Sequence, residues 1–161
     1  MFKQEDIFMK CKKMIALLLL ITSVLMLTAG CNRTYDYSFA QNLDNVEKVE
    51  IRAYEYDPHD DKTTPIVTLD EEDGKALLME IDAMECKRHF GHHSHDFGDI
   101  VIYITYKDQT AEVVGLLNVA QVDKEGEWWL GVEYFDAAQL CTLIMKYVDE
   151  DLLPDLSKYF D

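Results

Sequence analysis

Hydrophobic and polar residues alternate over several short stretches of this chain, a period of two that predicts half-buried β-strands. Val49, Ile51 and Ala53 share one face of the first such stretch, and polar residues occupy most of the other face. Further strands are predicted at 65–69, 85–88, 100–106, 111–119 and 128–135. The stretch 100–106 is apolar on both faces, which is typical of a central strand.

Two stretches have helical spacing instead. The first begins after Asp70, a favourable N-cap residue. Acidic residues follow Asp70 in the first turn, where the helix dipole stabilises negative charge. Leu77 and Ile81 lie on one face of this helix. The second begins after Asp136, where Gln139 at the third helical position completes a capping-box pattern. This helix should end before Pro154, because the residue before a proline disfavours helical geometry.

Short strands joined by turns, together with two separate helices, predict an α+β fold. We expect one antiparallel or mixed sheet of about five to six strands, with both helices packed on one face. The pattern divides the chain into 1–30, a polar segment at 31–45 and a single α+β domain at 46–161. Because the segment 31–45 is polar with scattered aromatic residues, we interpret it as a tether.

The first 30 residues have the pattern of a secretory signal peptide. Lys3, Lys10, Lys12 and Lys13 precede an apolar run at 14–27. This run of 14 residues is shorter than the about 20 residues that a membrane-spanning helix needs. The run closes with the sequence LTAGC, and small residues therefore precede a cysteine.

This LTAGC sequence resembles the lipobox of bacterial lipoprotein precursors. In that family the cysteine sulfur receives a diacylglyceryl group, and a dedicated signal peptidase cuts just before the cysteine. The resemblance implies cleavage between Gly30 and Cys31 and lipidation of Cys31. It also implies export, with the lipid holding the domain on the extracytoplasmic side of a bacterial membrane. It carries no information on what the exported domain does.

The chain is strongly acidic, with 31 acidic and 15 basic side chains and a net charge of −16. Residues 31–161 keep 29 acidic and 11 basic side chains, so their net charge is −18. Such a surface repels phosphate backbones, which excludes nucleic acid as an expected partner. Cationic peptides, a basic protein face and metal ions are permitted partners.

Four histidines and a carboxylate form a cluster with metal-ligand chemistry: His89, His92, His93, His95 and Asp96. Neutral imidazole binds zinc, copper and nickel, so one hypothesis is a transition-metal site in the loop 89–99. A solvated loop between two strands is the alternative, and no cofactor is then needed. A loop that gains positive charge below about pH 6.5 is a third interpretation.

The adjacent Trp128 and Trp129 must point to opposite faces of their strand. If helices cover one face of the sheet, one tryptophan belongs to the core and the other lies on the open face. An exposed tryptophan near Tyr134 is a candidate surface for binding a peptide, glycan or protein. Alternatively, aromatic residues of the chain's own termini cover it.

Cys86 and Cys141 are the cysteines that follow residue 31, and two states are open to them. Exported domains keep disulfides, so the pair is a candidate bridge. Two buried free thiols are the alternative.

The sequence contains no recognisable catalytic motif, such as a nucleophile elbow, a His-Glu-x-x-His zinc motif or a phosphate-binding glycine loop. We therefore expect a membrane-anchored surface lipoprotein that acts as a small binding or accessory module and is not an enzyme. The alternative function is a metal-binding lipoprotein that uses the loop 89–99.

Overall fold

The computed structural model describes residues 34–56, 62–88 and 96–160. Their elements, in chain order, are β1 (Tyr35–Asp36), β2 (Val46–Glu55), β3 (Lys62–Thr68), α1 (Glu71–Asp82), β4 (Glu85–Arg88), β5 (Ile100–Tyr106), β6 (Ala111–Gly115), β7 (Val119–Val122), β8 (Trp128–Leu130), β9 (Glu133–Tyr134) and α2 (Ala137–Ile144). Short 3₁₀ helices lie at Leu43–Asn45, Glu150–Leu152 and Ser157–Tyr159. The proposed signal peptide and Cys31 lie outside these residues.

The described strands form two antiparallel sheets. The large sheet has six strands in the order β3-β2-β5-β6-β7-β8, and the small sheet has the order β1-β4-β9. Every pairing in both sheets is antiparallel. Together with the two α-helices of the described residues, this arrangement is an α+β fold, as the sequence predicted.

Both helices begin at the aspartates that the sequence identified. The side chain of Asp70 accepts a hydrogen bond from the backbone N–H of Asp73 at 2.9 Å, and α1 starts at the next residue. The side chain of Asp136 accepts a hydrogen bond from the N–H of Gln139 at 3.1 Å, which caps α2 in the same way. Each cap satisfies one of the backbone donors that the first turn of a helix leaves unpaired.

The main core lies between the large sheet and the helices. Leu77 and Ile81 of α1 and Leu140 of α2 belong to one buried cluster with Ile51 and Ile102 of the sheet. A smaller cluster covers the opposite face, and its buried members include Val101, Val113 and Ala120. The central strand β5 contributes to both clusters, which explains why it is apolar on both faces.

Two predicted strands are each divided by a turn. The predicted strand 111–119 becomes β6 and β7, because the N–H of Gly115 donates to the carbonyl of Asn118 at 2.8 Å and reverses the chain. The predicted strand 128–135 becomes β8 and β9. The N–H of Gly131 donates to the carbonyl of Val119 at 2.7 Å, and beyond it the chain leaves the large sheet to pair with β4.

The segment 34–45 belongs to the domain, so the prediction of a tether over 31–45 is wrong for these residues. Tyr35 pairs with Cys86 of β4. Tyr37 is only 7% exposed, and its ring lies 4.9 Å from that of Phe135, centroid to centroid. The aromatic side chains in this otherwise polar segment bury enough apolar surface to hold it against the sheet. No helix within the described residues is both long enough and apolar enough to span a bilayer.

Candidate functional site

A cleft opens where the end of the large sheet meets the amino-terminal segment and the small sheet. Its volume is about 340 Å³. We call it the Trp129 cleft; its walls include Gln121 and Trp129 from the large sheet, Asp36 and Ser38 from the amino-terminal segment, and Arg88 and Glu133 from the small sheet.

Trp129 is the most exposed aromatic side chain among the described residues, at 63%. The strand register places it on the helix-bearing face of the large sheet, because Ile104 pairs with Glu112, Glu112 with Gln121, and Gln121 with Trp129. Cross-strand partners point to the same face. Trp129 is nevertheless exposed there, and it borders the cleft.

Trp128 points to the opposite face, as its alternation with Trp129 requires. Its ring lies 5.3 Å from Phe97 and 6.4 Å from Tyr103, centroid to centroid, and it is half-buried. The sequence placed the exposed tryptophan on the face without helices. The structure instead exposes the tryptophan on the helix-bearing face, because neighbouring aromatic rings cover the other one.

Tyr134 is half-buried in β9, where it pairs with Lys87 in the small sheet. It is not among the residues that line the Trp129 cleft. Of the three residues that the sequence selected as a binding surface, only Trp129 is both well exposed and next to a cavity.

An acidic side chain lies beside the indole of Trp129. Its Nε1 atom donates to Asp123 Oδ2 at 3.4 Å. Backbone N–H groups, that of Glu127 first among them, hold the pKa of Asp123 below its usual value. The basic group of the cleft is Arg88, whose Nε lies 3.2 Å from Glu133 Oε1. Because the Arg88 guanidinium also stacks over the Tyr35 ring at 4.4 Å, its charge is already engaged within the domain.

The inner end of the cleft is formed by Glu112, a carboxylate that is only 2% exposed. Its Oε1 atom accepts a hydrogen bond from the Tyr37 hydroxyl. Its Oε2 atom accepts from the Tyr106 hydroxyl at 2.6 Å and from the N–H of Ala40 at 2.9 Å. Burial, and then the neighbouring Glu112 carboxylate, raise the pKa of the Tyr106 hydroxyl, so it remains a donor.

Sequence reasoning missed Glu112. The available signal was an acidic residue inside the apolar stretch 111–116, at a position that the alternation assigns to the buried face. A buried carboxylate needs several donors, and here two of them, Tyr37 and Ala40, lie 75 and 72 positions away in sequence.

Cys86 and Cys141 are both buried and both free thiols. The Cys86 thiol donates to the carbonyl of Tyr35 at 3.3 Å. Burial and, less strongly, the charge of Asp99 raise the pKa of the Cys141 thiol to about 11. The sequence left open whether these cysteines form a disulfide or remain free thiols, and in the structure they are free thiols.

The histidines of the candidate metal loop, His89, His92, His93 and His95, lie outside the described residues. Asp96 accepts a hydrogen bond from the N–H of Gly98 at 2.9 Å through its Oδ1 atom. In the part of the chain that the structure describes, no group of three or more histidine, cysteine, aspartate or glutamate residues is arranged to hold a metal ion. A metal site in the loop 89–99 remains a prediction from the sequence.

Comparison of the chain with protein-family models, with curated proteins and with solved structures finds no match in any of the three.

Proposed function

We propose that this protein is an exported lipoprotein, anchored to a bacterial membrane by lipid at Cys31, whose domain is a binding module and not an enzyme. The Trp129 cleft is its binding site, and a basic segment of a partner protein or peptide is its ligand. The observation that carries this proposal is a 63% exposed tryptophan that borders a cavity lined in part by Asp36 and Glu133 and that donates a hydrogen bond to Asp123.

The chemistry of the cleft favours a cation. An indole face attracts an ammonium or guanidinium group placed over it. Asp123 accepts a hydrogen bond from this indole, Asp36 lines the same cleft, and the charge of Arg88 is engaged with Glu133 and Tyr35. The net charge of −18 on residues 31–161 also steers basic partners toward the domain.

Binding can be tested with the full chain in detergent micelles and a short, fluorescently labelled peptide of alternating lysine and valine. We expect saturable binding that weakens with salt, because the attraction is electrostatic. Trp129→Ala should weaken binding about tenfold, through loss of the cation–π contact. Phe160→Ala is the matched control, because Phe160 is 50% exposed and lies away from the cleft. Equal affinities for the two variants would contradict the proposed site.

The anchor can be tested by membrane fractionation and labelling with a fatty acid. Cys31→Ala should move the protein out of the membrane fraction and abolish labelling, because the variant has no thiol at the cleavage site to acylate. Cys11→Ala is the control, since this cysteine precedes the apolar run. Labelling that depends on Cys11 and not on Cys31 would refute the proposed lipidation.

A further inference from the structure

The outer edge of β8 carries backbone groups that the register leaves facing away from the sheet. Two hydrogen bonds fix the pattern between β7 and β8: Asp123 N–H to the Glu127 carbonyl at 3.0 Å, and Gly131 N–H to the Val119 carbonyl at 2.7 Å. Hydrogen-bonded pairs alternate with non-bonded pairs in an antiparallel ladder. The backbone of Trp129 therefore faces β7, and the N–H and carbonyl groups of Trp128 and Leu130 point outward.

These outward groups have no hydrogen-bond partner among the described residues. Within the described part of the chain, β8 pairs with β7 alone and stands at the end of the six-stranded order. The opposite edge of the sheet is different. There β3 contains Pro65, which has no N–H to donate, and its pairing with β2 is interrupted by a bulge. Of the two edges of the large sheet, β8 is therefore the one that can accept another strand.

We propose that the basic partner segment binds as an additional antiparallel strand on the outer edge of β8, an inference that rests on the proposed function of the Trp129 cleft. Main-chain hydrogen bonds to Trp128 and Leu130 hold the segment, as in other cases of β-strand addition. The partner residue opposite Trp129 occupies a non-bonded pair, in which the two side chains approach most closely.

This geometry sets the sequence pattern of the partner. A basic side chain opposite Trp129 lies over the indole on the helix-bearing face and close to Asp123. The neighbouring partner residues point to the opposite face, beside the half-buried side chains of Trp128 and Leu130. The ligand is therefore an extended segment in which basic and apolar residues alternate, with the amides of the apolar residues facing β8.

N-methylation of the probe peptide separates strand addition from simple cation binding. Two versions of the lysine–valine peptide are compared with the parent on the full chain in micelles, one methylated at the valine amides and one at the lysine amides. Methylated valine amides cannot donate to β8, so binding should weaken at least about tenfold. Methylated lysine amides face solvent, and binding should stay within about twofold of the parent. Both peptides carry the same charge and number of methyl groups.

Amide hydrogen exchange on the protein gives a second readout. Saturating parent peptide should slow exchange at Trp128 and Leu130, whose N–H groups point outward, and change Trp129 little, because its N–H already faces β7. If both methylated peptides bind like the parent, strand addition is wrong while the cation site stands. If the parent peptide binds Trp129→Ala as well as it binds the unchanged chain, or does not bind at all, the proposed function fails as well.

Discussion

Glu112 and Tyr37 join the amino-terminal segment to the middle of the large sheet by a hydrogen bond between side chains 75 positions apart in sequence. The same carboxylate accepts hydrogen bonds from Tyr106 on the adjacent strand and from the backbone of Ala40. Burying a carboxylate costs free energy unless donors satisfy it, and three donors do so here. Two of them belong to the segment that follows the proposed lipid. Glu112 is thus one of the polar contacts that hold this segment against the domain.

Glu112→Gln should lower the free energy of unfolding by about 2–3 kcal/mol. The amide keeps the shape of the side chain but replaces one acceptor oxygen with a donor, and two hydroxyls and one N–H then compete for the oxygen that remains. Urea unfolding of the full chain in micelles measures the loss. Glu125→Gln, in the exposed turn before β8, is the control and should change stability by less than about 0.5 kcal/mol. Equal losses would show that Glu112 makes no special contribution.

The amino-acid pattern was sufficient to predict the elements whose signals are local. Asp70 and Asp136 cap the two helices as expected, and Ile100–Tyr106 is the predicted central strand. The turn at 116–118 was missed because Leu116 is apolar and only 1% exposed, so its environment is that of a strand although its backbone is not. The packing of Tyr37 was missed because its partners lie far along the chain.

Gly115 lies so close to the segment before β5 that a side chain at this position would collide with it. A Cβ atom at this position would lie 2.7 Å from both the Cβ atom and the carbonyl oxygen of Phe97. Gly115→Ala should therefore cost about 2–3 kcal/mol, because a backbone atom must move. Thermal or urea unfolding of the variant measures this loss of stability.

Gly74→Ala, inside α1, is the matched glycine control. Its nearest neighbour would be the Val49 Cγ2 atom at 3.2 Å, and alanine gains about 1 kcal/mol of helix propensity over glycine. The net change should be within about 1 kcal/mol of zero. If Gly74→Ala were the more destabilising of the two, the close approach at Gly115 would not be a constraint.

Only half of the candidate site could be predicted from the sequence, because the strand pairing decides which side chains are exposed. Alternation alone requires Trp128 and Trp129 to face opposite ways, but which of them is exposed depends on the pairing of β8 with β7 and on what covers each face. The rings of Phe97 and Tyr103 cover Trp128, and no periodicity in the sequence brings these residues together. Glu112 enters the site for the same kind of reason, through contacts made only in the folded chain.

The two buried thiols should resist alkylation in the folded protein. The thiolate is the reactive form, and the pKa of Cys141 is about 11. Burial and the nearby charge of Glu133 also raise the pKa of Cys86. We expect little reaction with iodoacetamide at mildly alkaline pH, and full reaction of both residues in guanidinium without a reductant. Peptide mass spectrometry resolves each site. Reaction in guanidinium that requires a reductant would instead reveal a disulfide.

On the face of the large sheet opposite the helices, Glu50 is a second buried carboxylate, at 5% exposure. Lys48 Nζ lies 3.0 Å from its Oε2 atom, and Arg52 Nη2 lies 2.6 Å from the same atom. The Arg52 guanidinium also stacks over the Tyr103 ring at 3.9 Å. Burial raises the pKa of Glu50, but the hydrogen bonds and charges of Arg52 and Lys48 outweigh it, so the pKa lies below its ordinary value of 4.5.

This lowered pKa predicts how stability depends on pH. The folded protein binds a proton at Glu50 less readily than the unfolded chain does, so the stabilisation is fully present above about pH 4.5. It is lost as the pH falls from that value through the lower pKa of the folded state. Glu50→Gln cannot titrate, so unfolding free energies measured by urea between neutral and acidic pH should converge for the two proteins as the pH falls. Curves that stay parallel would show that Glu50 has the same pKa in both states, and that its contacts with Arg52 and Lys48 do not favour the charged form.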